Sequence, residues 1–371
     1  MTGSGSVRVL VVNAGSSSLK LTLLDGDDQV IAARELETRD ELDEAAVHDA
    51  LSAGLDAADA IGHRIVHGGE RFVAAVRIDP DVETALRALT DLAPLHQPKS
   101  LAALDTVSAQ LPNIPAVACF DTAFHANMPP AAATYALPAA WRERWPIRRY
   151  GFHGLSHSWV ARQAPQMLKL SSDGLRLVSC HLGAGASLCA IADGRSVDTT
   201  MGFTPLEGLV MATRSGNVDP GLLLWLLQQT GMAADELASA LEHDSGLKGL
   251  AGSGDMRVVL ARAGDGDAAS TLALEVWEHR LRGLIAGMAA ALGGLDALVF
   301  TGGIGERSAP IRARAAEGLG FLGVAIDMER NQTAEGDREL TADGAMTRTL
   351  VIQAREDLEI ARQTRTVLAS G

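Results

Sequence analysis

Four apolar residues in a row, Val9 to Val12, are enough for a buried strand and too few for a helix. The small polar run Asn13-Ala14-Gly15-Ser16-Ser17-Ser18 breaks them off. Leu19, Leu21 and Leu23 then alternate with Lys20, Thr22 and Leu24 until Gly26, which is the period of a second strand. The pattern predicts a hairpin whose turn offers backbone N–H groups, hydroxyls and one lysine to a common space, a setting suited to an anion such as phosphate. From Leu175 the chain reads LRLVSCHLGAGASLCAIADGR, again strand, glycine-rich turn, strand and closing glycine. From Leu298 it reads LVFTGGIGERS, a strand entering a glycine turn and then a helical pattern. Such turns are common singly. Two hairpins half a chain apart, with a third glycine turn, point instead to a duplicated, two-lobed phosphate clamp.

Between these landmarks the periodicity predicts a strand over 30–36, an acidic surface helix within 35–55, and a strand over 60–66 running into His67-Gly68-Gly69. Helices follow over 81–92 and 100–109, then a buried strand over 114–120 with Asp121 just past its end. Strands first in series and then alternating with helices give an α/β protein, a mixed sheet with helices on both faces. Pro129, Pro130, Pro138 and Pro146 mark a turn-rich connection, and the lobe boundary is placed at Tyr150-Gly151. The second lobe, 150–357, repeats the scheme. Its strands fall near 177–181, 188–192, 195–200 and 351–353, and its helices near 221–230, 234–241 and 268–292. The last helix, 356–368, is expected to return to the first lobe, so residues 358–371 are counted with 1–149.

A length of 371 residues suits two domains, each able to bury its own core. A formal charge of -14 argues against a general nucleic-acid or membrane-surface binder, while leaving room for a local basic pocket. The start, MTGSGSVRVLVV, lacks the pattern of a signal peptide. The apolar stretch 284–301 is interrupted by glycines and Asp296, and reads as a buried helix and strand rather than a membrane span. The three cysteines form no CxxC pair, so neither a disulfide framework nor a zinc knuckle is indicated, and a cytosolic protein is expected.

No GxxxxGK[ST] is present, and Gly303-Ile304-Gly305 lacks the third glycine of GxGxxG. Five clusters stand out: GHRIVHGGE from Gly62, FDTAFH from Phe120, YGFHGLSH from Tyr150, HLGAGAS from His181 and MATRSG from Met211. Together with NAGSSSLK, Asp255-Met256-Arg257 and GGIGE from Gly302, they strongly resemble the acetate kinase family, in order and nearly end to end. The resemblance implies two duplicated ribonuclease-H-like lobes of the actin, hexokinase and Hsp70 class, with the active site in the cleft between them and a homodimer as the usual assembly. It implies ATP + acetate ⇌ ADP + acetyl phosphate, with magnesium or manganese. Chemistry of that kind is positioning and electrostatic stabilisation rather than proton transfer.

On this resemblance Asp121, His153 and Arg214 are the catalytic residues, the last two stabilising the transferring phosphoryl group. Arg64 grips the acetate carboxylate, for which a planar fork is suited. Val66, Leu95, Phe152 and Pro205 form the acyl box. Asn13 and Glu356 are the magnesium positions, oxygen donors of the kind that ion prefers. Glu356 fits equally the commoner role of an N-terminal helix charge. Ser16, Ser18 and Lys20 face the phosphates. His181, Leu182, Gly183, Ala184, Gly185, Asp255, Met256, Arg257, Gly303, Ile304, Gly305, Glu306 and Arg307 make up the nucleotide site.

Three positions depart from the family pattern. Ala184 stands for Asn in HLGNG, Arg307 for Asn in GIGEN, and Asn217 for Asp in SGDxDP. The first two bear on the phosphoryl donor. The alternatives are therefore another acyl acceptor (propionate or butyrate), another donor such as pyrophosphate, and more remotely a nucleotide-dependent switch on the same fold. A small apolar box separates acids by size, and one methylene is worth only about 1–3 kcal/mol.

Overall fold

The computed structural model describes residues 7–15, 18–37, 43–93 and 97–370. The chain divides into two compact units. Unit 1 comprises Met1–Ala126, Phe152–Trp159 and Arg355–Gly371, and unit 2 comprises Asn127–Gly151 and Val160–Ala354. The sequence pattern puts these divisions at 149/150 and 357/358. Three segments differ: residues 127–149 fall in unit 2, and residues 152–159 and 355–357 fall in unit 1. Leu155 joins the apolar cluster of Val9, Val11, Val117 and Cys119, as do Leu358, Ile360 and Ala361.

Unit 1 is built on β1 (Val9–Ala14), β2 (Ser18–Leu24), β3 (Val30–Glu37), β4 (Ala60–Ile65), β5 (Val76–Arg77) and β6 (Ala116–Phe120), in the order β3-β2-β1-β4-β6-β5. β1 and β2 form the predicted antiparallel hairpin, with Val9 opposite Leu24 and Ala14 opposite Leu19. β4 lies parallel to β1, and β6 parallel to β4. The alternation of the sequence sorts the two faces. Leu10, Val12, Leu19, Leu21 and Leu23 pack with Ala103 and Val107 of the Gln97–Gln110 helix, while Val9 and Val11 face the Glu356–Ala369 helix.

Unit 2 repeats the plan. β7 (Arg176–Leu182), β8 (Ala186–Ala192), β9 (Arg195–Thr199), β10 (Ala297–Thr301), β11 (Arg338–Glu339) and β12 (Arg348–Val351) take the order β11-β12-β10-β7-β8-β9. Read from the hairpin edge this is the unit 1 order, with the same parallel and antiparallel senses. The copy extends to side chains. Asp59 takes the backbone N–H, Nε and NH2 of Arg8 at 2.9, 3.0 and 3.0 Å. Asp296 takes the same three groups of Arg176 at 2.8, 3.0 and 2.7 Å.

Three local expectations change. The acidic stretch is not a surface helix from residue 35. Pairing with β2 carries β3 to Glu37, and the Glu44–Ala50 helix continues into a π-turn at Leu51–Leu55 that buries Val47, Leu51 and Leu55. The helix expected over 81–92 ends at Arg87, followed by a separate 3₁₀ turn at Thr90–Leu92. The glycines after β10 form no separate turn, because the helix begins there, at Gly302–Arg307. Among the described residues no helix is long and apolar enough to cross a membrane.

Candidate functional site

In unit 1 the parallel strands β1, β4 and β6 end side by side, so residues at their C-terminal ends converge. Asn13, Arg64 and Asp121 occupy those ends. Asp121 Oδ2 accepts from Arg64 Nε at 3.1 Å and NH2 at 2.6 Å. Arg64 NH1 donates to Asn13 Oδ1 at 3.1 Å and, weakly, to the Ala14 carbonyl at 3.5 Å. Asn13 Nδ2 in turn donates to Glu356 Oε2 at 2.9 Å, which ties in the first residue of the C-terminal helix. Burial works against the Arg64 charge, but Asp121 and Glu356 more than offset it and hold the guanidinium above its ordinary range. Burial pushes the Asp121 carboxyl up, with Arg64 pulling it back and Glu356 adding to the rise.

His153 is placed by strain. Its φ is +55°, a left-handed conformation unusual for a side-chain-bearing residue. Gly154 follows because its N–H donates to the Asp121 carbonyl at 2.9 Å, and a Cβ there would meet that oxygen at 2.0 Å. Phe152 is buried and its ring meets His67 edge-on, while its carbonyl contacts His125 Nε2 at 3.1 Å. Val66 is buried nearby in sequence. Leu95 and Ser16 lie outside the described residues.

Asp121 Oδ1 is buried and has no hydrogen-bond partner among the described residues. A buried acceptor left unmade is costly, which suits an oxygen awaiting a cation or its water. With Glu356 and the Asn13 amide in the same network, the donors fit a magnesium ion. That ion takes few protein oxygens and completes its shell with water and phosphate. Among the described residues no cluster of three or more His, Cys, Asp or Glu is present.

Unit 2 gathers the predicted nucleotide segments. The His181–Gly185 turn joins β7 to β8. Gly302 has a φ of +76°, and a Cβ on it would sit 2.8 Å from the Leu182 carbonyl, so glycine lets the Gly302–Arg307 helix start against that turn. The Ala212 N–H donates to the Ala184 carbonyl at 3.0 Å, and Gly254 lies against Ala212, which brings Asp255 alongside. Met256 is buried, whereas Arg257 is exposed and paired to Asp255, the N-cap of its own helix.

Arg214 projects from a turn held on both sides, by Ser215 N–H to the Leu241 carbonyl and by Leu247 N–H to the Met211 carbonyl. Its Nε pairs with Glu242 at 3.1 Å and its NH1 reaches the carbonyl of buried Pro205 at 3.3 Å. Burial lowers the proton affinity of this guanidinium and Glu242 restores part of it.

Two further predicted residues, Lys20 and Arg307, face solvent. Lys20 is exposed, 3.8 Å from Glu35, and Ser18 donates to the same carboxylate. Arg307 is exposed, and Glu306 Oε1 accepts from the Ala354 N–H at 2.9 Å. Sequence reasoning missed Glu242 and the group of Tyr135, Arg149 and Glu207. In that group Arg149 also donates to the carbonyls of Thr199, Thr200 and Met201. Nothing in the local pattern flags them, because their partners come from distant segments.

The profile of the acetokinase family matches residues 39–362. The acetate kinase of Leifsonia xyli subsp. xyli is 44% identical, over 98% of this chain and 99% of the relative. The crystal structure of Porphyromonas gingivalis acetate kinase has a TM-score of 0.89 at 34% identity, covering 98% of this chain and 100% of that one. A propionate kinase from Francisella tularensis subsp. tularensis SCHU S4 has a TM-score of 0.90 at 35% identity, covering 97% and 100%.

Proposed function

The chain belongs to the acetokinase family, and from that membership we propose that it transfers the γ-phosphoryl group of ATP reversibly to acetate, giving acetyl phosphate and ADP. The observation that carries the reading is the Asn13–Arg64–Asp121–Glu356 network, a buried cation with an anion fixed on one edge. The reaction brings a carboxylate up to a charged phosphate, and like charges must be screened. Asp121 locks the Nε and NH2 edge of Arg64 and leaves the weaker NH1 contacts for the acetate oxygens to replace. An acetate oxygen bonds to the γ-phosphorus while the bond to the β–γ bridging oxygen breaks in line. Acetate is already ionised at neutral pH, so no general base is needed.

Arg64, Asp121 and His153 are assigned to the acetate and the transferring group, and Arg214, paired and dried by burial, to charge on the equatorial oxygens. His181–Gly185, Asp255–Arg257 and Gly303–Arg307 are assigned to the nucleotide, and Ser18 and Lys20, from the β1–β2 hairpin, to its phosphates. Val66, Leu95, Phe152 and Pro205 bound the acyl group. Asn13, Asp121 and Glu356 would hold magnesium, which when bound neutralises phosphate charge.

The reading carries a cytosolic homodimer with it. The Pro220–Gln229 helix leaves Leu222, Leu224 and Trp225 exposed, an apolar face that suits a second copy. Sedimentation of the wild type against Trp225→Glu checks this.

The test of the activity is acyl-hydroxamate formation with acetate, propionate and butyrate, each against ATP, GTP and pyrophosphate with magnesium. Acetate with ATP should lead. The likeness to a propionate kinase supports a second reading, and a propionate lead would establish it. A pyrophosphate lead would place the novelty at Ala184 and Arg307. No turnover in any combination would sink the kinase reading.

A further inference from the structure

Arg312 lies in the Ala309–Glu317 helix and is 1% exposed. A guanidinium taken out of water normally requires a carboxylate partner, since burying an unpaired charge costs several kcal/mol. Among the described residues Arg312 forms no ion pair. Its hydrogen bonds go to neutral oxygens instead: Nε to Asn331 Oδ1 at 2.7 Å, NH2 to the Asn331 carbonyl at 2.8 Å, and NH1 to the carbonyls of Gly305 and Glu306 at 2.9 and 2.7 Å. Asn331 is equally buried and anchored, its Nδ2 donating to the Ala309 carbonyl at 2.9 Å.

Gly305 and Glu306 are near the end of the six-residue Gly302–Arg307 helix. A helix of that length does not hold itself, and its last carbonyls have no partner inside it. A cation placed on those carbonyls fixes where the helix ends and complements its dipole. Its start is already fixed, by the contact of Gly302 with Leu182. The segment between, Gly303 to Glu306, is therefore clamped at both ends, and at the far end the clamp is Arg312 braced by Asn331.

We propose that Arg312 and Asn331 are a positioning pair for the nucleotide: they touch no substrate, but set the height and tilt of the segment that does. This rests on the assignment of Gly303–Arg307 to the nucleotide site.

The experiment compares Arg312→Lys and Asn331→Ala with wild type in steady-state kinetics and in amide hydrogen exchange. Lysine keeps the charge but loses the fork. The expected result is a tenfold or larger rise in KM for ATP in Arg312→Lys and a smaller rise in Asn331→Ala. KM for acetate should stay within twofold, and exchange in Gly303–Glu306 should quicken. Should Arg312→Lys fail to fold, Asn331→Ala carries the test, because it leaves the cation on the helix carbonyls. A fall in melting temperature with exchange in the segment and both KM values unchanged overturns the proposal and leaves the pair merely structural. Faster exchange with an unchanged KM for ATP overturns it differently, by removing the nucleotide from this segment.

Discussion

Units 1 and 2 have one strand order and two chemistries. The Arg8–Asp59 and Arg176–Asp296 pairs sit at the feet of corresponding strands, so the two sheets can be laid residue on residue. Val9 opposite Ala60 then matches Leu177 opposite Ala297. Counting forward, Asn13 corresponds to His181, Arg64 to Thr301 and Asp121 to Ala354. In unit 1 these strand ends carry a charged network, and in unit 2 they carry an imidazole, a buried hydroxyl and an alanine, with the glycine-rich Gly302–Arg307 helix starting just past Thr301. The scaffold only guarantees that parallel strands finish together. What the convergence does was decided by a handful of side chains, charged in unit 1 and uncharged beside a glycine-rich helix in unit 2.

The largest effect should come from giving unit 1 the residues of unit 2. Arg64→Thr should lower turnover by about a thousandfold or more, because the substrate carboxylate and Asp121 both lose their cation. The change also leaves Asp121 buried without its partner, which should cost about 3–5 kcal/mol of stability. Adding Asp121→Ala removes the stranded charge, so the double variant should be more stable than the sum of the singles predicts. Urea denaturation of the four proteins measures this. Additive losses would mean that the pair seen here contributes no coupling.

The second contrast concerns protons. Burial pushes His63, His67 and His125, all in unit 1, down to about 4. Each would titrate near 6.5 in the unfolded chain. Between those values the unfolded chain holds more protons, so the contribution is complete above pH 6.5 and lost as pH falls towards 4. At pH 5 each ring accounts for roughly 2 kcal/mol. Asp121, raised by burial, opposes part of this at the acid end. Hydrogen exchange at pH 7.5 and pH 5 should show strands β1, β4 and β6 loosening first, and uniform protection across both units would refute the idea.

The third contrast is between the two paired arginines. Arg64 meets a carboxylate one strand away, whereas Arg214 meets Glu242 from the end of the Ala234–His243 helix. Glu242→Gln keeps the shape and one acceptor but removes the charge. We expect kcat to fall about tenfold, with KM for both substrates within threefold, since a misheld Arg214 matters most in the transition state. A rise in KM with kcat unchanged would assign Glu242 to binding instead.

Legibility in the sequence followed the range of the interactions. The hairpins and the Ala268–Leu292 helix could be read because their signals are local: alternation, Asp267 at the N-cap and Gly293 just past the end. Family motifs located Asn13, Arg64, Asp121 and Glu356, and folding joins them in one network. Where tertiary contacts override local pattern, the reading fails. The Gly302–Arg307 helix looks like a turn because its stability comes from Leu182 and Arg312. The partners of Arg214 and Arg149, Glu242 and Glu207, have ordinary sequence neighbourhoods and become visible only once the chain is folded.

The smallest effect is expected where unit 2 has given up the position held by Arg64. Thr301 is fully buried, and its Oγ1 has no partner among the described residues, although it stands at the N-cap of the Gly302–Arg307 helix. An unpaired hydroxyl in a closed site is a cost that a methyl group does not carry. Thr301→Val changes little else in shape, and β10 favours a β-branched residue. Stability should rise by about 1 kcal/mol, read as an increase in melting temperature, with KM for ATP within twofold. A loss of nucleotide affinity on Thr301→Val would show instead that the hydroxyl awaits a phosphate oxygen. Unit 2 would then have kept at this strand end a milder form of the anion contact that Arg64 makes in unit 1.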